Sequence, residues 1–78
     1  MERQVKFAIL RRYESLCYQI CHYLIQHEPS ASEAAKEALL SIAVDACFFT
    51  DSDETRKEKV RRTSIRMSLL RQNHGSLK

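Results

Sequence analysis

Apolar positions in the first third of the chain recur at steps of three and four, not two. Ile9, Tyr13, Leu16, Ile20, Tyr23 and Leu24 form a stripe that Leu10, Cys17 and Cys21 widen, while Arg11, Arg12, Glu14, Ser15, Gln19, His22 and Gln26 fill the other side. Neighbouring apolar residues such as Leu16 and Cys17 do not fit strand alternation. This spacing predicts a helix over about 5–26. HEPS, His27 to Ser30, interrupts it, because Pro29 disfavours helical geometry at the residue before it. Ser30 can then cap a second helix, with Glu33 three residues on completing a capping box. That helix is expected over about 31–49, with Ala35, Ala38, Leu39, Ile42, Ala46 and Phe49 on one side. Its alanines would let the first helix come close. TDSDET, Thr50 to Thr55, is the second break and offers Asp51 and Asp53 as alternative caps. The third helix is expected over about 54–72, on a thin stripe of Val60, Thr63 or Ser64, Met67 and Leu70. NHGSLK follows, and 73–78 reads as a flexible C-terminal tail with Gly75 just beyond the helix end.

Composition agrees with the pattern. One Gly and one Pro in 78 residues leave little material for turns, which argues against an all-β fold. The expected class is all-α, a small three-helix domain occupying 1–72. Domains of this size bury few residues and commonly lean on disulfides, metals or a partner. Cys17, Cys21 and Cys47 cannot all pair with one another, and no apolar run approaches the length of a signal core or a membrane span. A cytoplasmic setting with free thiols packed as small hydrophobes is expected, with no membrane association.

Cys17 and Cys21, four apart, invite a metal reading with His22. Both thiols lie inside the apolar stripe, however, and His22 projects elsewhere. A closed zinc site needs four ligands, so Cys47 and His27 would have to converge from a distance. No metal or cofactor is expected. Catalysis has less to stand on, since there is no Gly-rich phosphate loop and no strand-turn-helix context for a nucleophile. A chain this short has little room to enclose a small-molecule substrate. The reading is a binding module with no catalytic residues.

Charge sharpens that reading. Residues 1–27 carry a net +2; residues 28–54 hold seven carboxylates against Lys36 alone, net −6; residues 55–78 hold eight cations against Glu58, net +7. The overall +3 conceals a strongly dipolar chain. On helix three, Lys59, Arg62 and Arg66 are spaced to share a face, with Arg61 beside it. Such a strip could neutralise phosphates, or it could fold back on the acidic helix and be balanced internally. On helix two, Glu33 and Glu37 stand one turn apart with Lys36 between them and Ser41 a turn further on. Phe48 and Phe49 offer either a base-stacking platform or a seal at a helix junction. Phe7 and Tyr18 lie off the main stripe and could mark a partner surface.

The order of these features resembles region 2 of sigma-70 family transcription initiation factors. The first helix, with ILRRYESLCYQICHYLI, is similar to the family's YxxLVYRIAxRYL; ASEAAKEALLSIA resembles DAEDAVQEAFLRAW; and the basic helix ending IRMSLLR resembles LYRIARNLALDRLRR. The likeness spans about Ile9 to Arg71 and is strongest over the first two helices. It implies docking of the second helix on the clamp helices of the β′ subunit of bacterial RNA polymerase core, through Glu33, Lys36, Glu37, Leu40 and Ser41. It further implies that the last helix faces promoter DNA, giving Arg61, Arg62 and Arg66 a phosphate-contact role, and Lys59 joins them as a DNA-binding candidate from the shared basic face. Ser30 and Ser32 stand where the family's motif has its first Asp and Glu, and the chain has no Trp among its aromatics. No helix-turn-helix region follows the third helix. The expectation is therefore a co-sigma module, similar to small co-sigma factors of bacilli, working with a companion sigma subunit that carries the −35 reader. The alternative is a small helical protein-binding regulator with no DNA role.

Overall fold

The computed structural model describes the backbone of residues 3–76 and the side chains of residues 3–71. Three α-helices, α1 (Arg3–Leu24), α2 (Glu28–Ala43) and α3 (Asp53–Ser76), are joined by a three-residue link and by a segment containing a short 3₁₀ helix, Ala46–Thr50. No strand occurs among the described residues, so the chain is a small all-α domain. Contacts fix the topology. Tyr18 of α1 meets Ser32 of α2, and Glu37 of α2 meets Arg71 of α3, so α2 runs antiparallel to both neighbours. Tyr13 bonds Asp53 while Cys21 reaches Ser64, so α1 and α3 run side by side in the same direction.

The inward stripe of α1 is Tyr13, Cys17 and Cys21, continued by Ile25 just past the helix. The two thiols therefore lie at its centre, whereas Tyr23, expected in the stripe, is 80% exposed. α2 presents Ala31, Ala34, Ala35, Ala38 and Ile42 to the core. Small side chains bring the helix backbones close enough for the Cys17 thiol to reach the Ala35 carbonyl at 3.6 Å.

Helix ends differ from the sequence expectation in physically clear ways. α2 starts at Glu28, not at about residue 31 after a Ser30 cap, because Pro29 sits in the first turn, where its missing N–H would have no partner anyway. The expected capping box is absent: Ser30 Oγ bonds His27 Nδ1 at 3.1 Å, and the N-cap His27 makes no side-chain cap. α2 also ends six residues early, at Ala43. Asp45 then caps the 3₁₀ helix by accepting from the Cys47 N–H at 3.0 Å. That tighter turn rotates both Phe48 and Phe49 into the core, 0% and 4% exposed, so the pair seals the helix junction and offers no stacking platform. α3 is capped by Ser52, whose Oγ accepts from the Thr55 N–H at 3.2 Å, in place of either aspartate. It runs on to Ser76, so 73–76, expected in the tail, continue the helix; one Gly costs a helix about 1 kcal/mol and does not by itself end it. Residues 77 and 78 lie outside the described residues.

The inner face of α3 is the least expected part of the fold. Val60, Ser64 and Ser68 are fully buried, while Leu70, expected in the stripe, is 58% exposed. Ser64 donates to the Cys17 thiol at 3.1 Å, and the Cys21 thiol reaches the Ser64 carbonyl at 3.8 Å. Ser68 Oγ is buried without a hydrogen-bond partner.

Candidate functional site

The outward side of α2 carries Glu33, Glu37 and Leu40, all exposed, with Ser41 half-buried at the border with α3. Lys36 lies on the opposite flank and pairs loosely with Glu33 at 4.0 Å. Val44, 84% exposed just past the helix end, extends the same side beyond Leu40. Helical periodicity alone explains this placement: the alanines and Ile42 take the core, so the residues between them face outward. The result is a surface with acidic groups at one end and two large aliphatics at the other.

Arg71 of α3 holds the acidic end. Its guanidinium donates to both oxygens of Glu37, at 2.8 and 3.3 Å, and lies 3.8 Å from Glu33. This two-pronged pairing uses the fork geometry particular to arginine. Sequence reasoning missed it, because an ion pair between residues 34 apart leaves no local signature.

The four basic residues expected as one strip are divided. Lys59, Arg62 and Arg66 line a groove of about 390 Å³ between α2 and α3, together with Ser41, Asp45 and Thr63. Arg61 lies on the other flank of α3, facing α1 across Arg12, Tyr13, Leu16 and Lys57. Nor is the charge freely available. Lys59 Nζ is 2.6 Å from Asp51 and 3.0 Å from Asp45. Those carboxylates, Asp51 first, raise the lysine's pKa and hold its charge, while the lysine draws the Asp45 carboxyl below its ordinary range. Arg61 and Arg62 share Glu58 at 3.2 and 3.7 Å. Arg56 donates to the Phe48 and Phe49 carbonyls at 3.0 and 2.7 Å, satisfying the end of the 3₁₀ helix. Among the described side chains of α3, Arg66 is the one cation with no such partner. The dipolar charge map is thus largely closed inside the molecule.

The remaining candidates resolve simply. Cys17 and Cys21 are fully buried and Cys47 is exposed, all as free thiols. Burial pushes the Cys17 thiol up to about 11, which keeps it protonated and unreactive. Among the described residues no cluster of three or more His, Cys, Asp or Glu is placed to hold a metal ion. Within the same residues, no helix is long and apolar enough to cross a membrane. Tyr18 bonds Glu28 at 2.5 Å and Ser32 at 2.8 Å and packs on the His22 ring, so it ties α1 to the start of α2. The Tyr18 and His22 bonds hold Glu28 below the ordinary carboxylate range. Phe7 remains 61% exposed near the start of α1.

The chain matches no protein-family model, no curated protein and no solved structure.

Proposed function

We propose that the chain is a transcription initiation co-factor of the sigma region 2 kind, docking through α2 on the β′ clamp helices of bacterial RNA polymerase. In this reading a separate sigma subunit supplies the promoter −35 reader, and the protein acts in the cytoplasm. The observation that carries it is the outer side of α2, where Glu33, Glu37 and Leu40 stand exposed together on a three-helix frame. These are positions matched by the resemblance of ASEAAKEALLSIA to the family's docking helix. Acidic groups beside an exposed leucine suit a partner helix that offers arginines around an apolar contact. The Lys59, Arg62 and Arg66 groove supports a secondary contact with promoter phosphates, led by Arg66.

A second reading has its own support. Because most α3 cations are neutralised internally, a protein-binding regulator with no DNA role would use the same α2 side and leave α3 as a structural strut. The two readings part at Arg66→Glu, which weakens promoter-dependent function in the first and leaves function intact in the second.

The deciding experiment is a pull-down of the purified chain against the isolated β′ clamp-helix fragment at two salt concentrations. Binding that weakens at high salt and is lost in Glu37→Lys is expected. Arg71→Gln, which releases Glu33 and Glu37 from their internal partner, should bind more tightly than the parent. A folded chain that fails to bind excess fragment at low salt would rule out direct docking.

A further inference from the structure

α3 wears its apolar residues on the wrong side for a free-standing bundle. Two serines occupy its buried stripe, while Ile65 and Leu69 are 39% and 46% exposed. Leaving such side chains in water forgoes much of the stabilisation that each could contribute if fully buried. Ile65 and Leu69 continue, turn by turn, the edge of α3 that begins at Arg61, which faces Leu16 of α1. Along α1 the next residues on that edge are Ile20, half-buried, and Tyr23, exposed. Since α1 and α3 run in the same direction, helical spacing sets the two apolar rows on facing edges that continue the groove between Leu16 and Arg61. One end is basic: Arg12, Lys57 and Arg61 surround it, its one lining carboxylate, Asp53, is already bound by Tyr13 and Lys57, and the exposed pair that Arg61 makes with Glu58 is of a kind that contributes little and is readily exchanged. Arg12 has no ion-pair partner among the described residues.

We propose that this α1–α3 groove seats an amphipathic helix of a companion protein. Its apolar residues, at steps of three and four, lie over Leu16, Ile20, Tyr23, Ile65 and Leu69. Its carboxylates meet Arg12 and Arg61. The proposal rests on the companion-subunit part of the functional reading and names the surface and chemistry of that contact. A helix is the fitting occupant because two parallel helical rows form the kind of channel into which a third helix packs. Nucleic acid fits poorly, since phosphates gain nothing from Ile65 and Leu69. A second copy of this chain is the rival occupant, since Glu14 and Glu54 make no ion pair among the described residues, and sedimentation separates it from a companion helix.

The test titrates the full chain into a labelled helical peptide of about 18 residues, carrying leucines at steps of three and four and glutamates in one terminal turn. Fluorescence anisotropy should show binding by this peptide and none by its lysine-for-glutamate counterpart. Leu69→Glu should weaken binding by about ten-fold or more, and Arg61→Glu by less. Circular dichroism verifies that both exposed-site variants remain folded. Binding of the β′ clamp fragment to Leu69→Glu should be unchanged, so failure of the groove and failure of α2 docking are read separately. Equal binding of the two peptides, or an unaltered Leu69→Glu titration, would overturn the proposal. So would a parent dimer in sedimentation that Leu69→Glu dissolves, because the groove would then belong to a second copy.

Discussion

α2 and α3 are held to the same bundle by different forces. α2 follows its hydrophobic pattern: five small or aliphatic residues face inward, and its polar residues face out. Among its described side chains α3 has only Val60 as a fully buried aliphatic, and it compensates with fastenings along its length. Tyr13 bonds Asp53 at its start, Arg56 holds the 3₁₀ carbonyls, Lys59 joins Asp45 and Asp51, and Arg71 clasps Glu37. Apolar burial is insensitive to pH and strengthened by many salts, whereas ion pairs respond to both. One helix is therefore packed in place and the other is tied in place.

The sharpest way to break this contrast is to remove the residue both helices share. Phe48 is fully buried, meets the Tyr13 ring edge-on at 5.6 Å and lies under the Arg56 guanidinium. Phe48→Ala should cost about 3–5 kcal/mol, enough to unfold a domain this small. Thermal or urea denaturation followed by circular dichroism checks it. A smaller effect, of opposite sign, is expected at Ser68. Its hydroxyl is buried without a partner, so Ser68→Ala should stabilise by about 1 kcal/mol and raise Tm by several degrees. Ser64→Ala, which loses a bond to the Cys17 thiol, should not share that gain.

The smallest effect is acid sensitivity, felt chiefly along the tied helix, with Glu28 at the start of α2 as a further lowered carboxylate. Asp45 is lowered chiefly by Lys59, and Asp53 chiefly by the Tyr13 hydroxyl. A carboxylate whose pKa is lowered by folding contributes fully above its unfolded value, near about 4, and loses that contribution as pH falls through its folded value. Thermal midpoints should be flat from about pH 6 to 8 and fall below about pH 4. Amide exchange should show α3 loosening before α2.

Much of the fold was legible because helical periodicity is local. The stripe of α1 and the alanine face of α2 can be read from spacing, and so can the exposure of Glu33, Glu37 and Leu40. The break at the end of α2 was misplaced. Ala46 and Phe49 fit a continued helical stripe, and only the Asp45 cap together with the Arg56 bonds to the Phe48 and Phe49 carbonyls favours the 3₁₀ turn. α3 was misread for a related reason. Its buried serines are satisfied or tolerated through contacts with α1, and nothing in α3 itself signals that Leu70 should stay in water. For the candidate site, residue types and exposure were legible, but pairing was not. Arg71 with Glu37 and Lys59 with Asp51 join distant positions, and they decide how much charge each surface offers.

Tyr13 gives this small bundle an optical handle. With no tryptophan, near-ultraviolet absorption and emission arise mainly from three tyrosines, of which Tyr23 is 80% exposed and Tyr18 is 37% exposed. Tyr13 alone is buried, edge-on to Phe48 and hydrogen-bonded to the first residue of α3. Burial and the Asp53 contact raise its pKa, so its tyrosinate band emerges only above the ordinary range. The chromophore sits where α1, the 3₁₀ helix and α3 converge, so its spectrum reports whether the tied helix is seated, without any label.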